Sequence, residues 1–234
     1  MSSRERSFTS KEKMKNYLQN RRNSFIEKVL GNTIVIAKDK LPDNVDIDVV
    51  LSTLKKLVPL SFFRDIDSIY IGQFQHLIDR EVHAMYSDGA IYVTNNQASS
   101  TDLVEDIIHE VAHSLEESHT SEIYGDGKIE KEFLAKRQKL YFILKEEGYN
   151  TELSYFFETE YTEEFDSFLY KEVGYPMLSA LSVNLFYSPY GATSLREYFA
   201  NGFEAFFYHR DVHYLKKVSP NLFDKLQIIA YNKE

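Results

Sequence analysis

Residues 102–117 read DLVEDIIHEVAHSLEE, and the order His109-Glu110-Val111-Ala112-His113 within them decides how the rest of the chain is read. Successive residues of an α-helix turn by roughly 100°, so His109 and His113 lie about 40° apart and leave the same face. Two imidazoles so placed can share one metal ion, and Glu110 sits beside them to handle the proton of an activated water. Asp102 and Glu105 make a capping-box pair, which predicts a helix opening there and running over 102–117. Val104, Ile108, Val111 and Leu115 recur at i, i+4, i+7 and i+11, on the side away from both His. One face is thus expected in a core and the other in a cleft. H-E-x-x-H also arises by chance on solvated helices; the unbroken apolar stripe behind the imidazoles favours the metal site.

The whole chain sets wider bounds. With 234 residues, 9 Gly, 5 Pro and no Ser/Gly-rich or Pro-rich stretch, it shows no linker and reads as one domain over 1–234 with two lobes. Hydrophobic content of 43%, with 17 Tyr and 17 Phe, supports a sizeable aromatic core. The net charge of −9 argues against a nucleic-acid or anionic-membrane partner, because no basic stripe exists to neutralise phosphates. Basic residues do gather at Arg4, Arg6, Lys11, Lys13, Lys15, Arg21 and Arg22, which reads as the solvated side of an amphipathic helix. The lack of Cys excludes a disulfide framework, a thiolate metal site and a Cys nucleophile. The first 25 residues carry many charges and no apolar core of signal-peptide length. A cytoplasmic or virion/host-intracellular location is therefore expected, or delivery without a Sec signal. Residues 173–195 are uncharged, but Gly174, Pro176, Asn184, Pro189 and Gly191 interrupt them; a buried helix and a loop are expected, with no membrane span.

Periodicity predicts a helix over 10–28 (Met14, Leu18 and Phe25 inward), a strand over 32–37 and a helix over 46–58 ended by Pro59. Strands follow over 68–74, 81–86 and 90–94, the last two joined by a Ser87-Asp88-Gly89 turn. Beyond the central helix the chain reads as helical over 128–147, 163–170, 176–186, 194–208 and 221–231. The fold class is α+β: a small mixed-sheet lobe over about 1–100, the central helix, and a mainly helical lobe over about 118–234. In such a lobe an edge strand can pair with an extended peptide, and Ala90, Ile91, Tyr92 and Val93 are the residues expected to do so.

A catalytic zinc site needs a third protein ligand and an open position. Three candidates compete. His119 has the spacing of the metzincin signature, but that signature needs Gly where this chain has Glu116. Glu130 and Glu132 lie in the alternating run KIEKE, which reads as a solvated face. Glu197 shares a face with Asn201 and Glu204, opposite Phe199, Phe203 and Phe206; with Ser194 it equally satisfies a capping box, so it reads as ligand or cap.

H-E-x-x-H, followed far downstream by Tyr190-Gly-Ala-Thr-Ser-Leu-Arg-Glu197-Tyr-Phe-Ala200, resembles the catalytic domain of the anthrax lethal factor-like zinc peptidases, a group that includes the Pro-Pro endopeptidases. The resemblance implies a zincin-like metallopeptidase fold of gluzincin type. It implies one Zn²⁺ per chain on His109, His113 and Glu197, Glu110 as general base, and Tyr190 as donor to the oxyanion. The implied activity is endopeptidase cleavage of a peptide or protein substrate. The family places a supporting Glu four residues after the ligand; this chain has Asn201, whose amide oxygen is expected to accept an imidazole N–H in its place. The rival expectations are a zincin-shaped binding or structural module of a viral or bacterial assembly, and a metzincin-like peptidase using His119.

Overall fold

Short β-branched runs build the first lobe. In the computed structural model, which describes residues 26–231, β1 (Ile26–Leu30) and β2 (Thr33–Ala37) form a hairpin. They are followed by α1 (Ile47–Leu57), β3 (Ser68–Gly72), the short α2 (Gln75–Asp79), β4 (Ala84–Ser87) and β5 (Ala90–Thr94). The five strands make one mixed sheet in the order β1-β2-β3-β5-β4. β2, β3 and β5 run parallel, while β1 and β4 pair antiparallel at the two sides. Asp46 caps α1 by accepting from the amides of Asp48 (2.8 Å) and Val49 (3.4 Å), and the helix ends at Val58, before Pro59. Asp88 (φ 49°) and Gly89 (φ 75°) both take positive φ between Ser87 and Ala90, the geometry of a two-residue hairpin turn whose twist matches the strands.

Residues 26–28 belong to β1, not to a helix; the remainder of the helix expected over 10–28 lies outside the described residues. β5 is not an edge strand. Its backbone is paired with β3 on one side and β4 on the other, so Ala90, Ile91, Tyr92 and Val93 offer no open ladder to a peptide. The Asp88-Gly89 turn specifies the hairpin, but the parallel pairing with β3 decides which arm faces outward. The open edge belongs to β4. Thr94 N–H donates to His83 C=O (2.8 Å), which makes 83/94 a hydrogen-bonded pair; by alternation, the N–H and C=O of Ala84 and Tyr86 point away from β5.

The second part is helical: α3 (Ser100–Tyr124), α4 (Lys128–Glu146), α5 (Glu163–Ser167), α6 (Tyr175–Leu181), α7 (Leu195–Phe203), α8 (Val212–Val218) and α9 (Pro220–Tyr231). α5 continues into a π-helical turn at Phe168–Val173, and α7 into another at Glu204–Tyr208. No helix among the described residues is long and apolar enough to cross a membrane.

α3 lies along β4 and β5 with α1 beside it. Ile69, Ile71, Ile91 and Val93 from the sheet bury against the same core as Leu103, Val104, Ile108 and Val111 of α3 and Val50 and Leu54 of α1. Burial of each such side chain stabilises the fold by about 1.5–3 kcal/mol. The stripe read from sequence is buried, and Leu103, Ile107 and Ala112 are buried beside it. On the other side α3 meets α7, whose Phe199 and Phe203 are fully buried. Phe62, in the 3₁₀ turn after α1, joins the two parts through Phe203 (5.9 Å) and Phe207 (5.5 Å).

The helical part also buries two cations. Lys136 Nζ donates to the carbonyls of Leu185 (2.7 Å) and Val218 (2.7 Å) and to Ser219 Oγ (2.9 Å). Arg137, with 0% of its surface exposed, donates from its guanidinium to the carbonyls of Tyr155, Glu158 and Thr193 and stacks 4.0 Å over the Phe165 ring. Glu132 caps α9 through the amides of Asn221 (2.9 Å) and Leu222 (3.3 Å) and accepts from Tyr198 OH (2.8 Å). It is therefore an anchored cap, whereas Glu130 keeps the exposed position expected of that run.

Candidate metal centre

α3 starts earlier than the capping box predicts. Ser99 is the N-cap, its Oγ accepting from Asp102 N–H (3.2 Å), because the sequence offers capping residues at both positions and the chain uses the first. Across from the HExxH turn, Ser194 caps α7 by accepting from Glu197 N–H (3.1 Å). Only that half of the predicted capping box appears; the Glu197 carboxylate faces the imidazoles instead.

His109 Nε2 lies 3.1 Å from Glu197 Oε2, His113 Nε2 lies 3.5 Å from Glu197 Oε1, and the two Nε2 atoms are 3.2 Å apart. Ligand atoms of the three residues all fall within 4.8 Å of one another, a group that could hold a metal ion. Glu197 Oε2 is buried and makes no hydrogen bond despite its nearness to His109. A buried carboxylate oxygen beside two imidazole nitrogens is costly unless positive charge stands among them, as protons on those nitrogens or as a bound cation. Two imidazoles and a carboxylate are the donor set of many zinc sites.

The far nitrogens of both imidazoles are engaged. His109 Nδ1 is 2.8 Å from Glu204 Oε1, and His113 Nδ1 is 2.8 Å from Glu116 Oε2. An ionised carboxylate only accepts, so each Nδ1 carries a proton and each Nε2 is the nitrogen turned towards the centre. Burial disfavours a charge on His113, but the bonds from Glu116 and Glu197 outweigh it and raise its pKa to about 9. His109 is likewise held well above its ordinary value by Glu197 and Glu204, against the effect of burial. Burial would push the Glu197 carboxyl up; the two imidazoles outweigh it and hold it well below the usual carboxylate range. Every shift asks for positive charge in the same small space.

Asn201 does not support an imidazole as expected. Its amide oxygen accepts from Ser188 Oγ, and its Nδ2 donates to Glu204 Oε2 (3.3 Å). Glu204 takes that place. The sequence pattern did put Glu204 on the face of Glu197, since seven residues make nearly two full turns; its contact with His109 could not be read from one chain. His119 is not in the ligand group. The helix continues past it to Tyr124 with a kink at His119 itself, so the sharp turn that a metzincin third ligand requires is missing.

Glu110, 6% exposed, accepts a 2.6 Å hydrogen bond from the outward-pointing Tyr86 N–H of β4. Burial raises its pKa, and the two His beside it pull the other way. Tyr190, in a 3₁₀ turn before α7, has its ring 6.4 Å from that of His109 and is 37% exposed. Burial first and the Glu197 charge second push the phenol pKa far up, so it remains a proton donor.

No family model, no curated protein and no solved structure matches this chain.

Proposed function

We propose that this protein is a zinc-dependent endopeptidase with a zincin-like fold of the lethal factor type. The observation that carries the reading is the convergence of His109 Nε2, His113 Nε2 and the orphaned Glu197 oxygen, with Glu110 on the next residue. Zinc bound by these three would supply Lewis acidity, polarising a scissile carbonyl and lowering the pKa of water towards ~7.

The protein's own groups supply the rest. Tyr86 N–H fixes the Glu110 carboxylate, which takes the proton of the attacking water and passes it to the leaving amine. The raised Glu110 pKa suits a group that must both accept and return a proton. Tyr190 O–H donates to the developing oxyanion. An extended peptide would add to the open edge of β4, where the N–H and C=O of Ala84 and the C=O of Tyr86 point outward. A rival reading as an inert zincin-shaped module would rest on Asn201 standing where the resembled family has a Glu; here Glu204 supplies a carboxylate to His109.

The test is zinc content together with cleavage of a peptide library, for the wild type and Glu110→Gln. The variant is expected to keep stoichiometric zinc and lose about 10²–10⁴-fold in rate. Equal rates in the two proteins would sink the mechanism, and an active protein free of metal would sink the site.

A further inference from the structure

The end of α3 contributes no ligand, yet it bends back onto the site. Glu116, 4% exposed, gives one oxygen to His113 Nδ1 and the other to the phenol of Tyr124, eight residues on. Arg196 Nε lies 3.5 Å from the His113-facing oxygen. Side chains on a helix lean towards its N-terminus, as Glu116 does to meet His113. In a straight helix Tyr124 would stand about 12 Å further along the axis and about 80° around it. The helix is not straight: His119 between them has φ −127° and ψ 23°. Local side chains account for the break. Ser118 Oγ donates to Ser114 C=O (3.1 Å), Thr120 Oγ1 donates to Glu116 C=O, and Ser118 Oγ also lies 2.6 Å from His119 Nδ1. Hydroxyl bonds to the carbonyl four residues back bend helices.

We propose that Glu116 and Tyr124 form a positioning pair for His113, with the kink at His119 delivering the phenol to the carboxylate; this rests on the metal-centre reading above. Tyr124 and Arg196 hold the carboxylate from two sides, so it cannot rotate away from the imidazole. Arg196 immediately precedes Glu197, so the same carboxylate also ties the His ligand on α3 to the segment carrying the Glu ligand on α7. The Tyr124 ring packs 6.2 Å from Phe199, so Tyr124→Phe removes the hydroxyl and keeps the packing.

The experiment measures Zn²⁺ dissociation constants by chelator competition on the full chain, for wild type, Tyr124→Phe, Glu116→Gln and the double variant. The ¹⁵N shift of His113 Nδ1 is read by NMR, and thermal melts of the metal-free proteins report folding. Glu116→Gln is expected to weaken zinc binding about 10–100-fold and Tyr124→Phe by a smaller factor, each moving the Nδ1 shift. The double variant should be no weaker than Glu116→Gln alone, because the phenol acts through the carboxylate. Wild-type affinity and an unmoved Nδ1 shift in Tyr124→Phe, or additive losses in the double variant, overturn the positioning pair while the metal centre stands. A wild type that takes up no zinc overturns both.

Discussion

At Lys136 and Arg137 the helical part of the molecule buries two cations and surrounds them with backbone carbonyls; only Arg137 Nε lacks an acceptor. At His109, His113 and Glu197, where only His113 is fully buried, the arrangement is the reverse: two imidazole nitrogens and a carboxylate turn towards one another. The first cluster is complete as protein alone and ties α4 to loops and helices far along the chain. The second gathers groups that could hold a metal ion. Buried charge by itself therefore says little about function in this fold; the sign of the groups left facing each other says more.

That contrast can be broken by substitution. The largest expected effect is at Glu197: Glu197→Ala should lose stoichiometric zinc and all measurable peptidase activity, while the metal-free protein unfolds at a temperature close to that of the metal-free wild type. Zinc analysis and calorimetry check it. Arg137→Leu should do the opposite. It should keep zinc on whatever folds and cost about 3–5 kcal/mol in denaturant unfolding, since three buried carbonyls lose their donor.

Lys136 sharpens the comparison through pH. Burial lowers its pKa to about 8, with Glu132 opposing and Lys139 adding to the effect. Between pH 8 and about 10.5 the unfolded chain binds a proton that the folded chain does not, so this group makes stability rise with pH across that window and flat below it. The gain is on the order of 3 kcal/mol at most. Lys136→Met should remove that rise, seen as a difference between the two proteins' urea midpoints at pH 7.5 and 10. The smallest effect is expected at Glu204. Glu204→Gln keeps an acceptor for His109 but removes its charge, and should weaken zinc about 10-fold, the low end for such partners, by chelator competition.

The sequence showed best what local periodicity controls. Val104, Ile108, Val111 and Leu115 announced the buried side of α3 and therefore the cleft side that carries His109 and His113. The Asp88-Gly89 turn announced the β4–β5 hairpin. What pairing across the chain controls stayed hidden: which hairpin arm is outermost follows from β5 joining β3, a contact with residues about 20 positions earlier. The same holds for Glu197, where Ser194 gave an honest capping signal and only the approach of α7 to α3 turned the carboxylate inward. The π-helical turns at Phe168–Val173 and Glu204–Tyr208 and the five-residue α2 carry too few residues for a periodic signal. In sequence Glu116 stands out only as a non-glycine in a metzincin signature, because Tyr124 meets it through a kink that helical periodicity does not anticipate.

The bond from Tyr86 to Glu110 comes from the main chain, and that has a consequence for how this surface can change. Nineteen of the twenty amino acids at position 86 would supply the same N–H, so the Glu110 carboxylate keeps that donor. Only proline would remove it, and an outward N–H on an edge strand is where proline otherwise fits a sheet. On the proposed reading, a side-chain change along the strand beside the cleft would alter peptide preference without unhooking the carboxylate that takes the proton, within the limits set by Ala84 and Tyr86 packing against the core.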